Sequence, residues 1–408
     1  MLKTKTDKLL LFALIVGSCS SMIPSVAIGY GIAQFKFVAI AGKEGAVSAF
    51  SHSQGLVTLF MIGLIPLLGR VVDRFPFPNG TRYYWTLLGN SVGLLSLHWF
   101  AQAETEGQII LAWVGVLLSY SLSGSAFKAA IPELIPPDRL SVDSGLIGAA
   151  IPLCLAVNLI LVLGLFAESS IAMKLYMMGA LQLILSIVGM LIISSYHRHR
   201  AREKALDVQA GKENKSYVKF ALIVIAKVFL NIAISGTSLL TLYYTTRFAM
   251  AQSDVFTLNA IMSLGVILIL ITGGGAVYFA KRYRRSRTLL ALGTLLISCG
   301  LLGYAIAEEL WVAIVAGVFI QLGLGPVSAL SMAMVNRALP NRKHYARDIA
   351  IADTAHNIGA ATIHFAAPVI IAAGAGITHS DGYSLYFYCL LAFSLLFIGM
   401  LWLIQEEN

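Results

Sequence analysis

The sequence predicts an all-α membrane protein of about twelve transmembrane helices in two pseudo-symmetric six-helix halves. Three observations carry this. Only 12% of the 408 residues are charged while 58% are hydrophobic, against about 25% charged in a soluble domain. Mean hydropathy is +0.81, so water cannot cover the whole surface and a bilayer must cover part of it. Apolar runs long enough to span about 30 Å of hydrocarbon recur along the chain.

Those runs fall at 9–34, 49–71, 84–101, 109–131, 142–166, 171–196, 218–244, 255–280, 288–306, 310–335, 349–373 and 384–404. The first follows Lys3, Lys5 and Lys8 and passes Val16-Gly17-Ser18-Cys19. That start is like a lipoprotein signal, but the apolar stretch continues to Gln34, and it is read as an uncleaved first helix. The polar stretch 197–217 is basic and is read as a cytoplasmic linker between an N-terminal half, 1–196, and a C-terminal half, 218–408.

Charge placement orients the spans. The even-numbered connections and the N-terminal tail hold 24 of the Lys and Arg residues, the odd-numbered connections four. Basic residues stay inside, so both termini are expected in the cytoplasm of a multi-pass protein of the cell inner (plasma) membrane. The net charge of +9 therefore serves topology, and no domain-sized basic surface exists for nucleic acid. Cys19, Cys154, Cys299 and Cys389 lie in apolar runs without a C-x-x-C, and they are read as free thiols packed as small hydrophobes.

The halves echo one another. Span 2 leads into Gly69-Arg70-Val71-Val72-Asp73-Arg74 and span 8 into Ala280-Lys281-Arg282; span 5 reaches Gly148-Ala149-Ala150 and span 11 reaches Gly359-Ala360-Ala361. Six plus six helices, a basic central stretch, and Gly69, Asp73 and Arg74 followed by Gly80 and Arg82 together resemble the major facilitator superfamily. The Phe75–Asn79 stretch lengthens the usual spacing. Ala130-Ile131-Pro132-Glu133 after span 4 is similar to that family's helix 4–5 turn, and Arg347-Asp348 to its sugar–cation symporter branch. The resemblance implies alternating access around a central site. It also implies a gating role for Asp73, Arg74, Arg82 and Glu133, with a carboxylate set against a helix N-terminus.

Polar residues inside spans indicate which helices line a cavity. Span 7 presents Lys227, Asn231, Ser235, Ser238 and Thr241 in steps of four, four, three and three, one helical stripe. Lys227 lies ten residues past Tyr217, about 15 Å deep at about 1.5 Å per residue. There it needs a counter-charge, a cavity or a lowered pKa. Candidate substrate-binding residues are Lys227, Asn231, Ser235, Gln321, Tyr120 and Tyr30. Gln321 precedes Gly323, Gly325 and Pro326, a run expected to break its helix. Span 11 carries Asp353, His356, Asn357 and His364 on one face, and Asp353, His356 and His364 are the candidate proton-coupling residues, since histidine titrates near neutral pH. Isolated His52, Gln54, Asn90, Asn158 and Asn259 are read as interhelical glue.

No nucleotide-binding loop, metal cluster or nucleophile elbow appears in the sequence, so no enzyme, cofactor or metal is expected. The expected function is secondary active transport of a small organic solute, leaning to an anion because the midplane charge is a lysine, and proton-coupled as a symport. The expected partners are that solute, the lipid bilayer and a proton or other coupling ion, with the protein a monomer. Two rivals are an exporter of amphipathic drug-like or lipid molecules, which favours an acidic residue in a wide aromatic cavity, and a transporter-like sensor that binds without translocating.

Overall fold

A bilayer offers no hydrogen-bond partner to a bare peptide group, so spanning segments close their bonds internally as helices. A computed structural model of the chain shows this throughout. It describes residues 5–74, 83–135, 147, 150, 152–200, 217–283, 285–338, 345–378 and 381–404. In chain order the helices are α1 (Lys5–Ser20), α2 (Ile23–Ala27), α3 (Ala33–Arg74), α4 (Tyr83–Gln102), α5 (Glu106–Leu134), α6 (Pro152–Gly164), α7 (Ile171–Arg200) and α8 (Tyr217–Ser235). There follow α9 (Leu240–Arg247), α10 (Gln252–Ser263), α11 (Val266–Tyr283), α12 (Ser286–Ile306), α13 (Leu310–Ala338), α14 (Tyr345–Thr378) and α15 (Tyr383–Leu403). Ten helical stretches among the described residues are long and apolar enough to cross a membrane. With α4 and the shorter α6 they make the twelve-helix bundle.

Spans 1, 7 and 8 are interrupted, and span 5 widens into a π-turn at Ile160–Gly164. Span 1 breaks after α1, where the Ser20 and Ser21 hydroxyls donate to the carbonyls of Gly17 and Ser18 and Met22 N–H turns back to Cys19 C=O at 3.1 Å. Hydroxyl back-bonding of this kind bends helices. After α2 the chain widens into a π-turn, Ile28–Ile32, with Gly31 at φ +115°. The Gln34 amide closes that turn, donating to Gly29 C=O at 2.8 Å and accepting from Gly31 N–H at 3.0 Å. The helix then runs on past Gln34 to a kink at Gly42, φ 71°. Span 7 narrows to a 3-10 turn, Gly236–Leu239, between α8 and α9. Tyr386 Oη donates to Gly236 C=O there at 3.0 Å. Span 8 is divided between α10 and α11.

The chain forms two compact units. One comprises Met1–Gly42, Phe60–Asp207 and Gln252–Ser263. In it α1 packs on α7 and α5, and α4 on α5 and α7. Small residues permit close approach: a Cβ on Gly89 of α4 would lie 2.6 Å from Ser119 C=O of α5. A buried polar chain crosses α4 and α7, Gln182 Nε2 donating to Asn90 Oδ1 at 2.8 Å and Asn90 Nδ2 to Ser186 Oγ at 2.7 Å. Asn90 thus acts as interhelical glue.

The other unit comprises Lys43–Leu59, Val208–Ala251 and Leu264–Asn408. Here α12 packs on α13 and α15, α13 on α11, and α8 on α14 and α15. Around α9 the Tyr243, Tyr244, Tyr304, Tyr383 and Tyr386 rings are buried together, and Arg247 pairs with Asp381 at 3.3 Å. Helix α13 is continuous through Pro326, so the expected break beside Gln321 does not occur. Its glycines have a packing role instead. A Cβ on Gly325 would meet Ile269 C=O of α11 at 2.5 Å, and one on Gly293 of α12 would meet Gly323 C=O at 3.0 Å.

Candidate functional site

The site that the structure assembles is the seam between α8 and α14. A Cβ on Gly359 of α14 would lie 2.9 Å from Val228 C=O, Ile232 N and Asn231 Cβ of α8. That bare glycine lets the two backbones approach closely. The polar stripe of α8 is thereby laid on the polar face of α14.

Two cross-helix contacts tie the seam, about two helical turns apart. His356 Nδ1 lies 3.2 Å from Asn231 Oδ1, and Asn231 Nδ2 donates to Lys227 C=O at 2.7 Å. A backbone carbonyl only accepts, so the amide nitrogen must face it and Asn231 presents its oxygen to the imidazole. His356 Nδ1 therefore donates, and in the neutral ring Nε2 is the nitrogen without a hydrogen. Deeper in, Ser238 Oγ and His364 Nε2 share a long hydrogen bond of 3.4 Å. The His364 ring is buried, 1% exposed, with the Phe50 ring edge-on at 6.1 Å. His364 Nδ1 and Ser235 Oγ are buried without a hydrogen-bond partner among the described residues. Two orphaned polar atoms in one seam fit a place for water or a ligand's polar groups. His356 is exposed and His364 enclosed, so the seam grades from open to sealed along α14.

The predicted substrate-binding residues divide. Lys227, Asn231 and Ser235 share α8, with Lys227 half-buried one turn from Asn231. Gln321 is half-buried on α13, which borders both α8 and α14. Tyr120 belongs elsewhere: it is 1% exposed, a Cβ on Gly93 of α4 would lie 2.6 Å from its ring, and its hydroxyl has no partner among the described residues. It packs at the α4–α5 interface and not in the seam. Tyr30 falls in the π-turn, but its side chain lies outside the described residues. So do the side chains of Asp353 on α14, of Asp73 and Arg74 at the end of α3, and of Glu133 near the end of α5. Arg82 lies outside them altogether.

Sequence reasoning missed Phe50 and the role of Gln34. A phenylalanine that closes a histidine from another helix carries no local signal. Gln34 was visible as a polar residue, but its amide serves its own backbone. His52 lies against Phe365, ring centroids 6.1 Å apart.

Comparison with known proteins follows this geometry. The family model described as Major Facilitator Superfamily matches residues 118–361, more than half of the chain. A search of curated protein sequences found no match. Among solved structures, the D-xylose-proton symporter superposes with a TM-score of 0.73 at 12% identity, covering 98% of each chain. The nucleoside transporter NupG gives 0.70 at 12%, covering 98% of this chain and 100% of that one. An inward open form of the xylose transporter XylE from E. coli gives 0.70 at 14%, covering 99% and 97%. Identities this low speak for the fold. With the family match, the twelve-helix bundle and the two-unit organisation, they identify the chain as a member of the major facilitator superfamily, a membrane-embedded secondary transporter of a small molecule and not an enzyme.

Proposed function

We propose that the chain carries a small polar organic solute, leaning to an anion, across the cell inner membrane in symport with protons. The observation that carries this is the α8–α14 seam, where Lys227 and Asn231 stand one turn apart and Asn231 fixes the tautomer of His356. A cation and an amide suit a carboxylate or a hydroxylated solute. A histidine with a fixed tautomer suits proton coupling, with Asp353 before it and His364 after it on the same helix. The structural neighbours include a proton symporter and a nucleoside transporter by their descriptions, which is in keeping with a polar solute.

In this proposal the halves 1–196 and 218–408 rock about a central site as a monomer, both termini and the 197–217 linker lie in the cytoplasm, and Asp73, Arg74, Arg82 and Glu133 latch the cytoplasmic gate. Transport of a panel of labelled carboxylates, sugars and nucleosides into proteoliposomes identifies the solute. Lys227→Ala is then expected to weaken its binding roughly tenfold to a hundredfold, as losing a charged hydrogen bond of about 1.5–3 kcal/mol does, with the melting temperature little changed. Lys227→Arg should keep part of the affinity. Loss of about 3–5 kcal/mol of stability in Lys227→Ala, recovered by adding Asp353→Asn, would instead mark a structural ion pair and overturn the substrate role.

A further inference from the structure

A cationic corner lies where α11 ends, α12 begins and α15 ends, all within one compact unit. Five Lys and Arg residues fall within 281–287, and no acidic residue occurs between Asp254 and Glu308. Lys281, Arg282 and Arg285 are exposed and form no ion pair among the described residues. Arg287 is half-buried, with its guanidinium carbon 4.5 Å from the centre of the Trp402 ring of α15. That contact engages the flat face of the cation and leaves its N–H donors unused. Nε and Nη2 of Arg287 are buried without a hydrogen-bond partner among the described residues. These two nitrogens form the side-on fork that bonds two oxygens of one anion. Buried donors are nearly always satisfied, so an empty fork on a permanently charged group marks a place for an oxyanion that the protein does not supply.

We propose that this corner binds the phosphodiester headgroup of an anionic phospholipid, with the Arg287 fork on the phosphate oxygens. The surroundings select a lipid over a free ion. Tyr278 and Tyr283 near the end of α11 and Trp402 near the end of α15 are all exposed, and aromatic rings at helix ends mark the level of the headgroups. Exposed Val277 and Leu403 continue the apolar surface beside them. A soluble anion gains nothing from that surface, whereas a lipid lays its chains along it and sets its phosphate among the cations. The charge balance selects a headgroup with net negative charge. A zwitterionic headgroup brings an amine that meets cations here and no carboxylate among the described residues.

Trp402 is the movable wall of the site. It is 65% exposed and one residue from the end of α15, so its ring can swing aside and admit a phosphate to the buried edge of Arg287. Binding is independent of which solute the chain carries.

The test uses the full-length protein, delipidated in detergent, and native mass spectrometry with dioleoyl phosphatidylglycerol, dioleoyl phosphatidylcholine or inorganic phosphate added. The site predicts a first phosphatidylglycerol bound at least about tenfold more tightly than phosphatidylcholine, and no adduct from inorganic phosphate at the same concentration. Arg287→Gln should weaken that first step at least about tenfold, as loss of charged hydrogen bonds does. Arg287→Lys keeps the charge but not the fork, and should stay at least about threefold weaker than the unsubstituted protein. A second measurement needs no Arg287 variant. In nanodiscs, the fluorescence quenching that Trp402→Phe removes should be larger with chain-brominated phosphatidylglycerol than with chain-brominated phosphatidylcholine at equal mole fraction. Equal affinity for the two lipids, binding of inorganic phosphate as tight as that of the lipid, or Trp402 quenched alike by both would each overturn the site. So would phosphatidylglycerol binding that is unchanged in Arg287→Gln or fully kept in Arg287→Lys.

Discussion

Asn231 decides which nitrogen of His356 carries the hydrogen, and it does so by spending its own donor on Lys227 C=O. This is a positioning role, and it predicts an effect on coupling larger than on stability. Asn231→Ala removes an interhelical hydrogen bond worth about 0.6 kcal/mol, so melting should fall by no more than a few degrees. Proton-driven accumulation in proteoliposomes should fall at least about tenfold, because the imidazole loses its fixed tautomer. Equal losses of stability and accumulation would reduce Asn231 to a packing residue. The stripe Lys227–Asn231–Ser235–Ser238 was legible in the sequence because helical spacing alone defines a face. What it faces was not legible. Neither the pairing with α14 nor the Phe50 edge over His364 has a signature within either segment, and Tyr120, polar and mid-span, turned out to serve the α4–α5 contact.

At the scale of elements, glycines separate contact from slack. Gly359 and Gly376 both lie on α14. A Cβ on the first would meet α8 backbone at 2.9 Å, and one on the second would meet nothing within 4 Å. Gly359→Ala should therefore cost about 1–3 kcal/mol by forcing the helices apart. Gly376→Ala should be neutral or slightly stabilising through helix propensity, by up to about 1 kcal/mol. Thermal melts of the two variants decide it, and equal shifts would contradict the close α8–α14 seam. The π-turn predicts similarly. Gly31 stands at φ +115° with the Phe256 ring 3.0 Å from its would-be Cβ, so Gly31→Ala should cost about 1–3 kcal/mol from backbone strain alone, and trimming Phe256 to Ala should recover only the steric part. All twelve spans were legible as apolar runs, but their interruptions were not. A break at Ser20–Met22 depends on hydroxyls bonding back to carbonyls, and the 3-10 turn at Gly236 is held by a tyrosine from α15. Hydropathy registers neither.

For the whole molecule, the chain divides into two compact units that do not coincide with the two halves of the sequence. Each unit includes a short segment from the other half of the sequence, Lys43–Leu59 in one and Gln252–Ser263 in the other. The sequence echo between halves gave no hint of this exchange, because it reflects contacts and not periodicity. Within its unit, α10 is held by Lys174 Nζ over the Phe256 ring at 4.6 Å and by Ser263 Oγ donating to Ala156 C=O at 3.4 Å. The charge asymmetry makes a separate prediction for orientation. Single cysteines placed in the 197–217 linker and at each terminus should resist membrane-impermeant maleimide in intact cells and react after permeabilisation. Labelling of the linker in intact cells would reverse the assigned topology.

The central claim is that the α8–α14 seam couples solute to protons through His356. The measurement that tests it most directly compares two assays on the same proteoliposomes, using the solute that the labelled panel identifies. One is accumulation under an imposed pH gradient; the other is solute counterflow at equal pH, which exchanges solute without net proton movement. The account predicts that the unsubstituted protein does both, and that His356→Gln keeps counterflow within about twofold while losing gradient-driven accumulation at least about tenfold, the range expected when a proton-transfer group is removed. Accumulation that ignores the pH gradient in the unsubstituted protein, or that survives intact in His356→Gln, would contradict it.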